Sequence, residues 1–559
     1  MDFDDKGIGF PELLSGMGSW GVAVLILLGI VLVFAVPISM SYSGSRGPGR
    51  VAETLIRGFI DVLSQSFRRL FAIATLTFRE SVRRKTLWVL AVFVVLFMFA
   101  HWFLGAGQAT ESAAKRHVMF VMSAVTWLLI PIAVILACWG LPNDIKERSL
   151  HTVVTKPARR AEIVFGRILG YSAVMTLVLL VMGLFGYIWL MRSVPDSAKN
   201  QLIARVPVYG ELTFLDRQGV DQFKGINVGD IWDFRSFIEG NSNARAIYTF
   251  DRLDESALNS DDALPLEYNF EAFRSYKGTI GQNVRFSFHF VNKATGLDVQ
   301  YPAGSAYIRE YSPNPEDTTM AIPRVLTSKN SLISRVGFGE GATENVPEEV
   351  DLLKDMMVDG KLRVEVSCDD GAQYLGMARP DLFFRLPNRS FFVAYAKTFV
   401  GMWLMLILIV VLSTTASTFV KGPVATFLVA TYLIMGRLLR GHLDELLTQF
   451  YKDGKPIGGG LLESAVRLTT QDNQLTPLAS NGFNESIVVL DRGILRWLNA
   501  MSYIIPDFNK FDGAPYLANG FDVPAETRIV PALIITIGFF IPCLFVGTYS
   551  LMSRELEAK

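Results

Sequence analysis

Residues 143–167, NDIKERSLHTVVTKPARRAEIVFGR, hold six basic and three acidic side chains between two runs apolar enough to cross a bilayer. Charges in that setting can bind headgroups or seat a partner protein. The other chemistry-bearing residues are scattered. No GxxxxGK[ST] loop occurs, because GSRGPGR and KDGKPIGGG lack the Lys-Ser/Thr ending that cradles phosphates. ATP hydrolysis is therefore not expected in this chain. GxSxG and HExxH are also missing. The five histidines (His101, His117, His151, His289 and His442) fall at no metal-ligand spacing. His289 reads as a solvated side chain on the polar face of a strand, and His151 as part of the charged loop. The carboxylates of 440–527 single out no acid/base couple.

Three cysteines, Cys138, Cys368 and Cys543, build neither a disulfide framework nor a zinc knuckle. A net charge of zero gives no global field toward nucleic acid. Ionisable residues inside apolar runs are costly and usually functional. Lys397 and Arg437 stand near run ends, where each reads as a side chain reaching the interface. No carboxylate lies mid-run, which speaks against a proton-coupled secondary transporter.

Half of the 559 residues are hydrophobic and mean hydropathy is positive. Seven runs approach the ~20 residues that a bilayer requires: about 20–40, 87–105, 118–141, 168–191, 392–416, 423–439 and 529–551. The expected fold is a polytopic α-helical membrane protein with about seven transmembrane helices. No cleavable signal is evident, since the first run exceeds a signal-peptide core. Segment 41–86 has nine Lys/Arg against three acids, and 142–167 six against three. Segment 440–527 has seven against eleven. Basic loops face the cytoplasm, so the N-terminus is placed outside and the C-terminus inside.

The segments follow. Residues 1–41 hold an extra N-terminal span and 42–86 a cytoplasmic amphipathic elbow region. Spans two to four occupy 87–191, with the charged loop at 142–167. An extracytoplasmic domain fills 192–390, spans five and six fill 391–440, an outer segment with interfacial helices fills 441–527, and 528–559 is the last span and tail. Within 192–390, VRFSFHFV puts Val284, Phe286, Phe288 and Phe290 on one face, and KLRVEVSC does the same with Leu362, Val364, Val366 and Cys368. Alternation with period two indicates half-buried antiparallel strands, and the turn signals SPNPED and CDDG favour a mainly-β sandwich. DESALNSDDALP (254–265) reads as loop. In 491–513, Ile494, Trp497, Leu498, Met501, Ile504 and Ile505 recur at helical spacing before Pro506, as in a helix lying at the outer interface or packed on the spans.

The elbow FRRLFAIATLTFRESVRRK places Phe67, Phe71, Ala74, Phe78 and Val82 on one helical stripe and Arg68, Thr75, Arg79 and Arg83 opposite. That suits a helix at the cytoplasmic interface beside anionic lipid. In the charged loop, Asn143 or Asp144 can N-cap a short helix, Pro157 forces a break, and Glu162 and Arg167 follow on a second helix. A positive-inside loop explains Lys156, Arg159 and Arg160, but not Glu147 or Pro157.

The run NDIKERSLHTVVTKPARRAEIVFGRILG resembles the cytoplasmic loop of ABC transporter permeases of the ABC-2 type. Glu147, Ser149-Leu150, Lys156-Pro157, Arg159-Arg160 and Gly166-Arg167 match the motif positions. FRESVRRKTLWVL (78–90, with Arg79, Glu80, Arg83 and Arg84), STTASTFVKGPVA (413–425) and IIPDFNKFD (504–512) follow in the family's order. The extra first span, the inserted outer domain and Ser149 in place of Thr depart from it. The resemblance implies that the loop is a coupling element seated on a separate ABC ATPase subunit. Glu147 would contact the ATPase. Lys156, Arg159 and Arg160 would hold headgroups or acidic ATPase residues. No cofactor is expected in this chain, with ATP and Mg on the partner. A second permease subunit, identical or not, is expected to pair around a translocation path in a bacterial inner membrane, and the outer domain to meet cargo or a periplasmic partner. The function so implied is the permease of an ATP-driven exporter. A non-transporting mechanotransmission subunit and an ATPase-free membrane sensor are the alternatives.

Overall fold

The computed structural model describes residues 10–43, 47–83, 88–100, 113–146, 159–222, 224–226, 235–251, 253–274, 283–309, 319–335, 347–371, 373–441, 443, 446–447, 459–471, 481–502 and 504–553. They divide into a β-rich unit, Ile203–Ala394 with Gly520–Asp522, and a helical unit holding the rest.

The helical unit contains α1 (Phe10–Ser43), α2 (Gly47–Leu63), α3 (Phe67–Arg83), α4 (Trp88–Met98), α5 (Ala113–Lys146) and α6 (Arg160–Ser193). After the β-rich insertion come α7 (Phe391–Phe419), α8 (Gly422–Ile434, prolonged to Leu439 by a π turn), α9 (Leu461–Thr470), α10 (Gly482–Ser502), α11 (Ala514–Ala518) and α12 (Val530–Ser553). Among the described residues, five helices are long and apolar enough to cross a membrane: Ala113–Asn143, Arg160–Ser193, Phe391–Phe419, Gly422–Leu439 and Ala525–Met552. The run at 20–40 lies within α1. Of the run at 87–105 the described helix is α4, 11 residues long. Pro131 and Pro142 lie inside α5, and Pro542 lies inside α12, where the freed Gly538 carbonyl accepts Trp20 Nε1 of α1 at 3.1 Å.

One local expectation changes. Asn143 and Asp144 do not cap a new helix, because α5 continues past them to Lys146. Their backbone is already helical, and an N-cap needs an extended one.

Span α7 is the most enclosed of the five, with 72% of its apolar window buried. Its STTAST sequence supplies hydroxyls that turn back onto the helix: Thr415 donates to Val411 O at 2.8 Å, Ser417 to Thr414 O and Thr418 to Thr415 O at 2.6 Å. Thr415 also reaches the Cys543 carbonyl of α12 at 3.3 Å, and Cys138 Sγ of α5 lies 3.8 Å from Ser413 O. Small hydroxylated residues let backbones approach closely where no hydrophobic driving force separates helix from lipid. This motif joins three spans.

In the β-rich unit the strands are β1 (Ala204–Tyr209), β2 (Glu211–Leu215), β3 (Asp221–Gln222), β4 (Ser236–Glu239), β5 (Arg245–Asp251), β6 (Ala263–Tyr268), β7 (Glu271–Arg274), β8 (Asn283–Asn292) and β9 (Leu297–Arg309). They continue with β10 (Thr319–Pro323), β11 (Val325–Thr327), β12 (Leu332–Arg335), β13 (Glu349–Asp351), β14 (Met357–Val358), β15 (Lys361–Cys368), β16 (Gln373–Met377) and β17 (Leu382–Arg389). An eight-stranded sheet runs β12-β9-β8-β15-β5-β2-β3 with β14 against β15, and a four-stranded sheet runs β1-β17-β6-β10. Smaller sheets are β4-β16-β7 and β11-β13. The named strand pairs are antiparallel.

The expected faces are the core. Val284, Phe286, Phe288, Phe290, Leu362, Val364, Val366 and Cys368 are each at most 2% exposed. Aromatic rings join the two larger sheets. Tyr268 of β6 meets Phe286 and Phe288 of β8 edge-on at 5.3 and 5.6 Å, and Phe250 of β5 meets Phe384 of β17 at 4.7 Å. Edge-to-face geometry aligns ring quadrupoles favourably, so two stacked sheets share one core, as in a sandwich. The stretch 254–265 is less of a loop than its composition suggests. Glu255–Ala257 form a 3-10 turn capped by Asp254, and Ala263 opens β6. Residues 520–522 join this unit from far along the chain. The Arg205 N–H donates to the Gly520 carbonyl and the Asp522 N–H to the Arg205 carbonyl, each at 2.8 Å, Arg205 lies over the Phe521 ring at 4.3 Å, and Asp522 pairs with Arg389 at 2.9 Å.

Candidate functional site

The expected elbow is α3, and it packs along the first half of α6. Two glycines on α6 set the distance. A Cβ at Gly170 would stand 2.8 Å from the Ala74 carbonyl oxygen and 2.5 Å from Thr77 Cβ. One at Gly166 would stand 2.7 Å from Ile73 Cγ2. The buried stripe of α3 is accordingly Leu70, Ile73, Thr77 and Ser81. Phe67 and Phe71, on the apolar stripe expected at the interface, are 77% and 62% exposed and take no part in this packing. The reason is steric. Helix axes this close admit small or slim side chains between them, so the aromatic stripe turns outward to where lipid would receive it.

Charge locks the joint. Glu162, fully buried, accepts Arg69 Nε at 2.9 Å and Arg69 NH2 at 2.7 Å, and also the backbone N–H groups of Ser66 at 2.9 Å and Arg159 at 3.0 Å. The bond to Arg159 N–H is half of a capping box and starts α6. Hydrogen bonding to Glu162 raises the Arg69 guanidinium above its ordinary value. A turn further along, Arg167 donates to Glu80 of α3 at 3.2 Å and to the Tyr171 hydroxyl at 3.3 Å. Tyr171 in turn lies against Gly140 of α5, where a Cβ would overlap its hydroxyl.

Of the residues named for ATPase coupling, Glu147, Ser149, Leu150, Lys156 and Pro157 lie outside the described residues, as does Arg84 of the elbow. Arg159 NH1 stands 3.8 Å from Asp61 of α2. Arg160 donates to the Met552 carbonyl at 2.6 Å, where a cation complements the C-terminal end of the last span. Arg79 and Arg83 are exposed, and Glu80 is engaged by Arg167. Among the described residues the arrangement has no acid/base couple. What it can do is mechanical: the end of the charged loop, the elbow, α5 and the last span are tied to one helix.

A second constellation forms around IIPDFNKFD. Phe508 and Phe511 are each 1% exposed. Asp507 accepts the Asn509 N–H at 2.9 Å, Asp512 pairs with Arg437 at 3.0 Å, and the Asn509 amide donates to the Arg437 carbonyl at 3.2 Å. Arg437 is thus ion-paired with Asp512. Lys397 likewise donates to the Val523 carbonyl at 3.2 Å. Next to Arg437 an apolar cavity of about 360 Å³ opens between α5 and α8, lined by Trp127, Val134, Leu433 and Phe508 among others.

Residues 71–215 match the family model described as ABC-2 family transporter protein. Over this segment the chain is similar to ABC-2 family transporter membrane proteins. The match begins on the elbow, covers α4, α5, the charged loop and α6, and ends in β2. The similarity is to transporter permease components, a class that is typically the non-catalytic membrane subunit. No curated protein and no solved structure matched the chain.

Among the described residues no group of three or more His, Cys, Asp and Glu could hold a metal ion. His289 is less solvated than its strand position suggested. Its Nδ1 lies 3.1 Å from Asp298 and its Nε2 3.4 Å from Ser367 Oγ, in a polar face where Asp369 also accepts the Ser287 and Ser305 hydroxyls. Asp491 accepts the N–H groups of Leu462 and Glu463 at the start of α9, and Glu463 pairs with Arg467. The expected outer helix at 491–502 is the second half of α10, paired with α9. Sequence reasoning missed Arg69, Asp61 and helix α2 as parts of the site. Available signals were Glu162 three residues after Arg159, and the GRILG spacing that puts Gly166 and Gly170 on one helix face.

Proposed function

We propose that the chain is the membrane subunit of an ATP-driven ABC exporter, coupled through residues 142–167 to a separate ATPase subunit on the cytoplasmic side, with a second permease subunit beside it. The observation that carries this reading is the joint at the loop's end. Glu162, Arg167, Gly166 and Gly170 bind α6 to the elbow, and Arg160 binds it to the last span. A push on the loop would therefore reach several spans as one displacement. A ligand shifts a conformational equilibrium only through differential contacts, and a stiff joint keeps those contacts from being lost in local yielding. Glu147 would be the polar contact to the ATPase, with Lys156, Arg159 and Arg160 flanking it and ATP and Mg held by the partner. The apolar cavity beside Arg437 would form part of the path.

Glu147→Lys in the full chain, co-expressed with its ATPase, tests the coupling. Loss of ATPase association or stimulation supports the reading, and unchanged association together with unchanged activity removes it. A second reading is favoured by the β-rich unit, which has a large buried core of its own. In that reading ATPase-driven shape change acts on an envelope partner and no solute crosses. ATP-dependent solute movement in sealed vesicles separates the two.

A further inference from the structure

Helix α2 stands ahead of the segment that matches the ABC-2 family, and its three sides do different things. One side packs on the last span. The Tyr549 hydroxyl donates to the Leu55 carbonyl at 2.7 Å, a Cβ at Gly58 would overlap the Tyr549 ring, and the rings of Phe59 and Phe545 lie 6.0 Å apart and nearly parallel at 12°. The next side carries Ile56, Phe59, Ile60 and Leu63, which are 60%, 52%, 52% and 70% exposed. The third carries Glu53 paired with Arg57, and Asp61 facing Arg159.

We propose that α2 is embedded in the membrane leaflet, its Ile56-Phe59-Ile60-Leu63 face occupied by lipid acyl chains. Depth is the first argument. Phe545 belongs to the apolar span Ala525–Met552, so the exposed ring stacked on it sits at the level of the span's own lipid-facing surface, where Ile541 and Val546 are 40% and 50% exposed. The helix face therefore continues a surface that already meets hydrocarbon. Segregation is the second. The large apolar residues collect on one side and the charges on another, the pattern of a helix lying in an interface plane. Charge is the third. Arg50 and Arg57 balance Glu53 and Asp61, so the seat draws on apolar contact and needs no anionic headgroup. The same helix holds Asp61 beside Arg159, which puts leaflet contact and the loop's end on one rigid element.

The test uses the full chain in lipid nanodiscs, with a nitroxide on single cysteines placed by Ile56→Cys, Ile60→Cys, Leu63→Cys, Glu53→Cys or Arg57→Cys. Cys138 and Cys368 are buried and Cys543 is half-buried, and the unsubstituted protein gives the labelling background. Labels at 56, 60 and 63 are expected to relax with oxygen in preference to a water-soluble nickel chelate, and labels at 53 and 57 with the reverse preference. The depth at 60 is expected to be equal in zwitterionic and anionic lipid. Nickel preference at 56, 60 and 63 would place the face in water. Shielding from both reagents would place a protein there, either a second copy or the ATPase. Loss of depth in zwitterionic lipid would make the seat electrostatic. Any of these three results overturns the proposal.

Discussion

The contact of α3 with α6 rests on Gly170, and replacing it by alanine tests the joint directly. The added Cβ would stand 2.5 Å from Thr77 Cβ and 2.8 Å from the Ala74 carbonyl oxygen. Neither atom is the free end of a flexible chain, so the helices must separate. Overpacking of this kind costs about 1–3 kcal/mol. Alanine's better helix propensity returns about 1 kcal/mol of it. The expected net loss is up to about 2 kcal/mol. Gly166→Ala should cost less, because its contacts are longer: Ile73 Cγ2 and Cβ at 2.7 and 2.8 Å and the Leu70 carbonyl oxygen at 3.3 Å, against 2.5 Å to Thr77 Cβ and 2.8 Å to the Ala74 oxygen at Gly170. Gly493→Ala in α10 is the reference: nothing lies within 4 Å of its Cβ, so only the propensity gain of about 1 kcal/mol acts. Thermal unfolding of the full chain in detergent, followed by tryptophan fluorescence, should rank the midpoints Gly170→Ala below Gly166→Ala below Gly493→Ala. Coupling should follow the same order in an ATPase-stimulation assay with the partner present. If Gly170→Ala melts with or above Gly493→Ala, the close approach is not what holds the elbow.

The β-rich unit gives two further expectations. Burial pushes the Cys368 thiol up to about 11, with the nearby charges of Asp369 and Asp370 adding to it. The folded state thus holds this proton more tightly than the unfolded chain, whose thiol titrates near 8.5 (roughly). Its contribution to stability is complete below that pH and is lost as pH rises toward about 11. Native protein at mildly alkaline pH should resist alkylation at Cys368 and react after denaturation, as read by peptide mass; equal rates in both states would contradict the burial. Phe288→Ala empties a site with no exposed area in the shared core and should cost about 3–5 kcal/mol, seen as faster limited proteolysis within 204–389 of the full chain. Arg160→Ala should loosen the end of the last span at Met552, measured as faster amide exchange over residues 548–553 without a change at α7.

The sequence by itself determined the membrane class, the inserted β-rich unit and its core faces. These follow from local composition: long apolar runs for spans, and alternation in 284–290 and 362–368 for strands, and no neighbour was needed to read them. The motifs at 78–90 and 143–167, which fall inside the family match, were equally legible, because their residues are close in sequence. The partners of those residues were not. Glu162 meets Arg69 across 93 positions, Arg160 meets Met552 across 392, and Leu55 meets Tyr549 across 494. Only the fold decides which separations close. The elbow shows the difference on a single helix. Hydrophobic periodicity marked Phe67 and Phe71 as an apolar face for the interface, but it did not mark Leu70, Ile73, Thr77 and Ser81 as the face that packs on α6. Gly166 and Gly170 settled the matter by bringing α6 so close that only slim side chains fit between the helices, leaving the phenylalanines for the bilayer.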